Sequence, residues 1–419
     1  MLELGPAEGQ GIRLREGDRA LEGGLGPFVR GFFQGPRRLE APLLSVVVPA
    51  YNVAPYLGRA LGSLANQTAK DLEVIVVDDG STDGSGEVAL RILEGSDLDW
   101  KLVSQTNRGV SAARNVGLSL CRGLYVLFLD GDDWLCERVV EVLSRVVLYR
   151  DYDVVAWGFN LIRQTPRGDL VPIRARESGP RSLETKGVPF LLEFVEDFLA
   201  RRVMKIHISS CAFRVGAVKS MGLEFPEGIC CGEDVNFIFK FLIACDTAKF
   251  LDEKLLFRLL RPGSITSERG NLSLFQDFYA IEDVLRFLEE MADRVRSGFG
   301  EAVLLELRRI FLRLLVMNFF TRIRLLVRDR ILVDPMAFRD ELDARFPDIL
   351  PSLKGRSEEL KRLGGLRWRE RVKLELFGER LGLYVAMLDL WSLAVAFKDR
   401  LLPGLLEAAK GFGRKVGVG

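Results

Sequence analysis

The chain has 419 residues, 48% of them hydrophobic, and its 59 Lys+Arg against 58 Asp+Glu leave a formal net charge of +1. That length exceeds one small core and predicts one large domain or two, while the even charge excludes a global pull toward nucleic acid. One His and six scattered Cys with no CxxC pair argue against a structural zinc site, and against Ser-His-Asp or Cys-His catalysis unless His207 serves.

Residues 1–41 are rich in Gly and Pro, keep no sustained period and are expected to form a loosely ordered extension. No apolar core follows a basic start, so no secretory leader is expected. The scattered cysteines suit a reducing, cytoplasmic setting. From Leu43 the texture changes. LLSVVVPAY reads as a strand buried on both faces. Residues 55–67 carry helical spacing, LEVIVVDDG is a second strand ending in acid, and residues 84–94 are helical. KLVSQ is a third strand, VSAARNVGLSL a helix of small residues, and GLYVLFLDGDDW a fourth strand ending in acid. A helix over 136–149 and the strand DVVAWGF follow.

This alternation predicts βαβ units and an α/β fold built on a mostly parallel sheet flanked by helices. Ligands of such sheets bind beyond the carboxyl ends of the strands. Tyr51-Asn52, Asp78-Asp79 and Asp130-Asp132-Asp133 all fall at that edge, and three separate stretches converging there predict a site. Further on, a helix is expected over 187–200 and an apolar helix near CGEDVNFIFKFLIAC. Beyond about 275 the chain reads as helical, with Pro335, Pro347, Pro351 and Pro403 as breaks. The division expected is 1–41 as extension, 42–270 as catalytic domain and 271–419 as a helical, basic region.

Each polar stretch has two readings. Tyr51 can stack on a nucleobase or simply pack at a loop start. In VVDDGSTDGS, Asp83 or Ser81 can cap the next helix, but capping does not require both Asp78 and Asp79. No P-loop or dinucleotide fingerprint follows. FLDGDDW can hold a hard divalent cation such as Mg²⁺ through carboxylates and substrate phosphates, or it can be a solvated acidic turn. Glu233 and Asp234 open a helix, where acids favour the dipole; one of them can also act as a general base. Arg258 and Arg261 precede a Pro-Gly turn and can clamp a diphosphate. His207 lies among apolar and small residues and is expected to be structural or to line an acceptor pocket, not to ligate metal.

Taken in order, SVVVPAYN, ANQT, LEVIVVDDGSTDGS, NRGVSAARNVGL, YVLFLDGDDW, FPEGICCGEDVNF and RPGSIT resemble glycosyltransferase family 2, the inverting enzymes of GT-A fold. The resemblance runs from about Ser45 to Thr266. It implies that Pro49, Tyr51 and Asp79 surround the nucleotide base, with Asp79 accepting from a uracil N–H and Asp78 supporting the ribose side; Asn52 is counted with the nucleotide-sugar-binding residues and can fix a neighbouring loop. It implies that Asn107, Gly109 and Arg114 lie beside the nucleotide. Asp130, Gly131 and Asp132 match the DxD segment, with Asp130 and Asp132 binding Mn²⁺ or Mg²⁺ against the diphosphate. Asp234 matches the catalytic base with Glu233 in support, and Arg261 and Ser264 match a region that closes over the diphosphate. Gly131 stands where the family usually has Ser, and the single His precedes the ED pair instead of following it as a late metal ligand. The activity implied is transfer of a sugar from a nucleotide-sugar, a UDP-sugar by expectation, to a hydroxyl of a saccharide or lipid-linked saccharide in polysaccharide or glycan synthesis. Two other readings are a polyprenyl-phosphate glycosyltransferase and a non-catalytic nucleotide-sugar-binding scaffold. The intact acids argue against the scaffold.

Residues 301–419 hold 23 basic and 16 acidic residues, a net of +7 against −6 for the rest. LRRIFLRLLVMNFFTRIRLLV (307–327) mixes apolar residues with arginines, and LGLYVAMLDLWSLAVAF (381–397) is too short to span a bilayer. The region is expected to be a packed helical bundle or a basic face for the inner surface of a membrane.

Overall fold

The structure is a computed structural model that describes residues 28–35, 41–165, 167–173, 183–201, 206–261, 271–328 and 335–364. The chain divides into two compact units. The first comprises residues 1–267 and 279–304, the second 268–278 and 305–419. The helices of 279–304 fall in the first unit.

The first unit is built on one mixed sheet whose core is parallel, flanked by helices. Its strands are β1 (Val29–Gln34), β2 (Leu44–Ala50), β3 (Leu72–Asp78), β4 (Asp99–Gln105), β5 (Tyr125–Phe128), β6 (Trp134–Leu135), β7 (Val154–Gln164), β8 (Leu170–Ile173), β9 (Leu183–Thr185), β10 (Cys211–Arg214) and β11 (Ala248–Leu260). They run in the order β1-β4-β3-β2-β5-β10-β7-β11-β6, with β8 on β7 and β9 on β11. β4, β3, β2 and β5 are mutually parallel. Every residue of β2 and β3 is buried, as the unbroken β-branched runs predict. β10 inserts antiparallel between β5 and β7, and β7 pairs with β11 in parallel.

Helices Ala54–Ala65, Ser85–Glu94, Val110–Ser119 and Val139–Val147 make the crossovers. The last is shorter than 136–149, and Leu148 and Tyr149 beyond its end are exposed. β1 stands inside the stretch read as loosely ordered and pairs antiparallel with β4, with Phe32 buried; residues 1–27 and 36–40 lie outside the described residues. The helix Ser85–Glu94 starts from Gly84 without a side-chain cap. Asp83, one residue before Gly84, accepts from Ser85 N and Ser85 Oγ at the helix start through Oδ1 and from Ala54 N through Oδ2, while Ser81 Oγ accepts from Asn52 N, tying the turn to the loop after β2.

In the second unit, helices Pro335–Arg345 and Ile349–Leu363 accompany the greater part of Glu301–Arg328. Pro351 does not break its helix, because it lies in the first turn, where a missing N–H leaves no bond unmade. Phe275 packs on Phe319 and Phe338, and Arg308, Arg309 and Arg322 pair with Glu359, Glu306 and Asp277. No helix among the described residues is long and apolar enough to cross a membrane. The stretch 381–397 lies outside the described residues.

Helix Val110–Ser119 lies so close to β2 that a Cβ on Gly117 would overlap the Val47 side chain, whereas Gly62 in helix Ala54–Ala65 has open space. Gly117→Ala is expected to destabilise the protein by about 1–3 kcal/mol through overpacking. Gly62→Ala should stabilise it by about 0.5–1 kcal/mol through backbone entropy. Urea denaturation of the two variants checks the pair.

Candidate active site

Parallel strands β2 to β5 end along one edge, and the residues singled out from the sequence gather in two groups there. The first group surrounds Asp79. Its backbone N–H donates to Ala50 O at 2.8 Å, fixing it just past the end of β3. The buried carboxylate takes three donors: Gln105 Nε2 at 2.7 Å and Arg108 N at 2.9 Å on Oδ1, and Gly109 N at 2.8 Å on Oδ2. Oδ2 keeps further acceptor capacity, since a carboxylate oxygen has two lone pairs. Gly109 (φ 90°) turns the chain into helix Val110–Ser119 through a region that L side chains avoid. Asp78 accepts from Ser81 N. Asn52, the one non-glycine with positive φ among the described residues, accepts from Thr82 N. Pro49 is buried in β2, Asn107 is exposed, and Tyr51 stands half-exposed at the rim.

The second group is held by Arg114, which is 3% exposed. Its Nη2 donates to Asp130 Oδ1 at 2.8 Å and its Nη1 to Glu233 Oε1 at 3.0 Å, with the guanidinium over the Phe225 ring. Burial pulls against its charge, but Asp130, Glu233 and Asp234 outweigh that and raise its pKa. Asp130 is disfavoured by burial yet held below the ordinary carboxylate range by Arg114, then His207. Burial, then Asp234, pushes Glu233 up to about 7. Glu233 and Asp234 open helix Glu233–Ala244 after Gly232, as expected.

His207 is buried, and its Nε2 lies 3.9 Å from both Asp130 Oδ2 and Asp234 Oδ2. Burial, then Arg258, lowers its pKa to about 4, so the ring is neutral. The sequence reading gave His207 a structural or pocket-lining part and missed its place between the two acids. KIHISSCAF carries no pattern that announces it.

The remaining acids of FLDGDDW have separate partners. Asp132 Oδ2 accepts from Arg261 Nε at 2.7 Å, and Arg261 lies over the Tyr56 ring. Asp133 is buried and accepts from Leu259 N at 2.8 Å, latching the turn to β11. Burial, then Asp130, raises both carboxyls, Asp133 the further. Among the described residues, the group with metal-ligand spacing is Asp130, Asp133 and His207, whose ligand atoms lie within 4.8 Å of one another. The two carboxylates suit Mn²⁺ or Mg²⁺, while the imidazole is a donor better suited to a transition-metal ion than to Mg²⁺. This set contains Asp130 but not Asp132, whose carboxylate faces Arg261. A Cβ on Gly131 would crowd Val53 and Pro49 O, which is a reason for Gly where the family usually has Ser. Ser264 lies outside the described residues.

The family model described as glycosyl transferase family 2 matches residues 45–217. Over that span the chain is similar to family 2 glycosyltransferases. The uncharacterized glycosyltransferase EpsJ of Bacillus subtilis is 31% identical over 227 residues, 54% of this chain and 63% of EpsJ. Glycosyltransferase GlyG of Streptococcus pneumoniae is 27% identical over 270 residues, 62% of this chain and 84% of GlyG. The chain thus spans less than two thirds of EpsJ. The crystal structure of S. aureus TarS 1-349 in complex with UDP-GlcNAc superposes with a TM-score of 0.59 at 20% identity, covering 83% of this chain and 88% of that one, and shares the GT-A fold.

Removing Arg114 strands buried carboxylates. Arg114→Ala is expected to cost about 3–5 kcal/mol in denaturant unfolding. Glu233, with its native pKa above the unfolded value, favours folding while protonated. That contribution is fully present below the usual glutamate pKa and is lost as pH rises toward 7. Glu233→Gln should therefore flatten the fall of melting temperature across that window, measured as a pH series beside wild type.

Proposed function

We propose that the protein is an inverting glycosyltransferase that moves a sugar from a UDP-sugar to a hydroxyl of a saccharide, free or lipid-linked. The observation that carries this reading is the convergence of Asp130 and Glu233 on the Arg114 guanidinium, with Asp234 facing Asp130 across His207. One acid thus lies where a diphosphate would be met and another beside it at a helix start. The solved UDP-GlcNAc complex of TarS supports a UDP-sugar donor, and short matches to chondroitin synthase of Escherichia coli (43% over 120 residues, 17% of that protein) support a role in polysaccharide synthesis.

In this reading the base contacts the rim made by Tyr51 and Asp79, with Asn52, Asp78 and Asn107 shaping the turns around it. Asp130 and Asp132 would hold Mn²⁺ or Mg²⁺, with Asp133 and His207 as the neighbouring donors and Arg261 released from Asp132. The ion, when bound, supplies positive charge against the leaving diphosphate. Arg258, whose field already acts on Asp130 and His207, adds to that charge. Asp234 accepts the proton of the acceptor hydroxyl as its oxygen bonds to the anomeric carbon. The bond from that carbon to the diphosphate oxygen breaks on the opposite face, so one displacement inverts the configuration. A phosphate acceptor would need no such base, which ranks the polyprenyl-phosphate reading lower. The membrane-surface role of 301–419 also draws less support, because Arg308, Arg309 and Arg322 are already paired.

Asp234→Asn is expected to lower transfer about 10²–10⁴-fold while leaving the donor Kd unchanged. Wild-type turnover in that variant would remove Asp234 as the base. A thermal-shift panel of UDP-, GDP- and dTDP-sugars, with and without Mn²⁺ or Mg²⁺, identifies the donor, since binding to the native state raises Tm.

A further inference from the structure

β1 lies outside the family-matched span, yet it is built onto the Asp79 group. Val29 pairs with Gln105, whose side chain donates to Asp79, and Gln34 pairs with Lys101. Phe32 anchors the strand in the core, and Gly35 sits so tightly on the Trp100 indole that no Cβ would fit. One residue beyond the pairing, Phe28 O accepts from Thr106 N at 3.1 Å. The Phe28 ring, 46% exposed, lies under the Arg108 guanidinium, 4.3 Å from Cζ to the centroid. From there Arg108 Nη2 reaches Glu227 Oε2 at 2.6 Å. Arg108 thus touches β1 on one side and the loop that leads to Glu233 and Asp234 on the other, while its own N–H holds Asp79.

We infer that Phe28 and Arg108 are positioning residues: the N-terminal strand, acting through the Phe28–Arg108–Glu227 contact, holds the Asn107–Gly109 segment in the shape that takes the nucleotide. This rests on the donor-site reading given above. An exposed cation–π contact has the right strength for a latch, not for a structural pillar. It is worth about 0.5–1 kcal/mol, which corresponds to about a two- to fivefold change in an equilibrium constant. A partly exposed ion pair adds a similar or smaller amount. Neither side chain is part of the buried core, so trimming either spares the fold.

The test uses the full chain as wild type, Phe28→Ala, Phe28→Trp, Arg108→Ala and the double alanine variant. Titration calorimetry with UDP-sugar and Mn²⁺ gives Kd, steady-state kinetics separate KM from kcat, and hydrogen exchange reports the Arg108 and Gly109 amides. Phe28→Ala is expected to raise donor Kd and KM about two- to fivefold at unchanged kcat and Tm, and to speed exchange of both amides by a similar factor. Phe28→Trp should restore binding, and the double variant should bind no worse than Arg108→Ala. Wild-type Kd and exchange in Phe28→Ala, or additive losses in the double variant, would overturn the latch. If wild type binds no nucleotide-sugar, the donor reading fails by itself. The exchange data then judge the latch alone: faster amides support it, and unchanged amides overturn it.

Discussion

A full positive charge at 3% exposure is the constraint on which this site depends. An unpaired buried guanidinium would cost several kcal/mol, so the native state must bring carboxylates to Arg114. It draws Asp130 from the end of β5 and Glu233 from a helix start 119 residues further along the chain. The pair is not symmetric. Asp130 is held as an anion, whereas Glu233, crowded by burial and Asp234, is pushed up to about 7. Asp234 stands next in the same first turn, free of Arg114's direct hydrogen bonds. Position in the network, not residue type, separates the acid that holds the site together from the acid proposed to meet the acceptor hydroxyl.

The same accounting explains why a buried strand runs into three carboxylates. Asp130 meets Arg114, Asp132 meets Arg261, and Asp133 accepts a backbone N–H from β11. Each carboxyl meets a different element, so the turn also staples strands β5 and β11 together. Asp132 is committed to Arg261 in this structure, and ligation by it requires that ion pair to open, whereas Asp130, Asp133 and His207 already lie at ligand spacing.

The fold was legible because its signals are local. Unbroken apolar runs such as VVV at 46–48 and VIVV at 74–77 require burial on both faces, and the helices between them enforce parallel order. The acids at strand ends were legible because a parallel sheet directs its strand ends to one edge. What stayed hidden was set by distant partners. Nothing in KIHISS specifies that His207 stands 3.9 Å from two acids, since that depends on β10 inserting between β5 and β7. β1 was hidden for a related reason: VRGFFQ is a short edge strand in Gly-rich surroundings, and its stability comes from pairing with β4 and from Phe32, not from its own pattern.

One helix joins the parts. Val110–Ser119 begins at Gly109, whose N–H holds Asp79, and carries Arg114 into the acid cluster little more than a turn later. Next to it Asn115 makes a two-way amide clamp on Phe225, donating to its O at 2.9 Å and accepting from its N at 2.8 Å. Phe225 stacks on Phe237 of the helix that bears Asp234, with ring centroids 4.2 Å apart. A single ten-residue element therefore fixes the segment expected to meet the nucleotide, the acid expected to meet the diphosphate and the loop that delivers the proposed base. Small residues on its other face, Ala113 and Gly117 among them, let it lie close against the sheet. Close packing there is what turns three separate sequence motifs into one rigid frame, because a helix held by a tight backbone approach cannot shift at one end without moving the other.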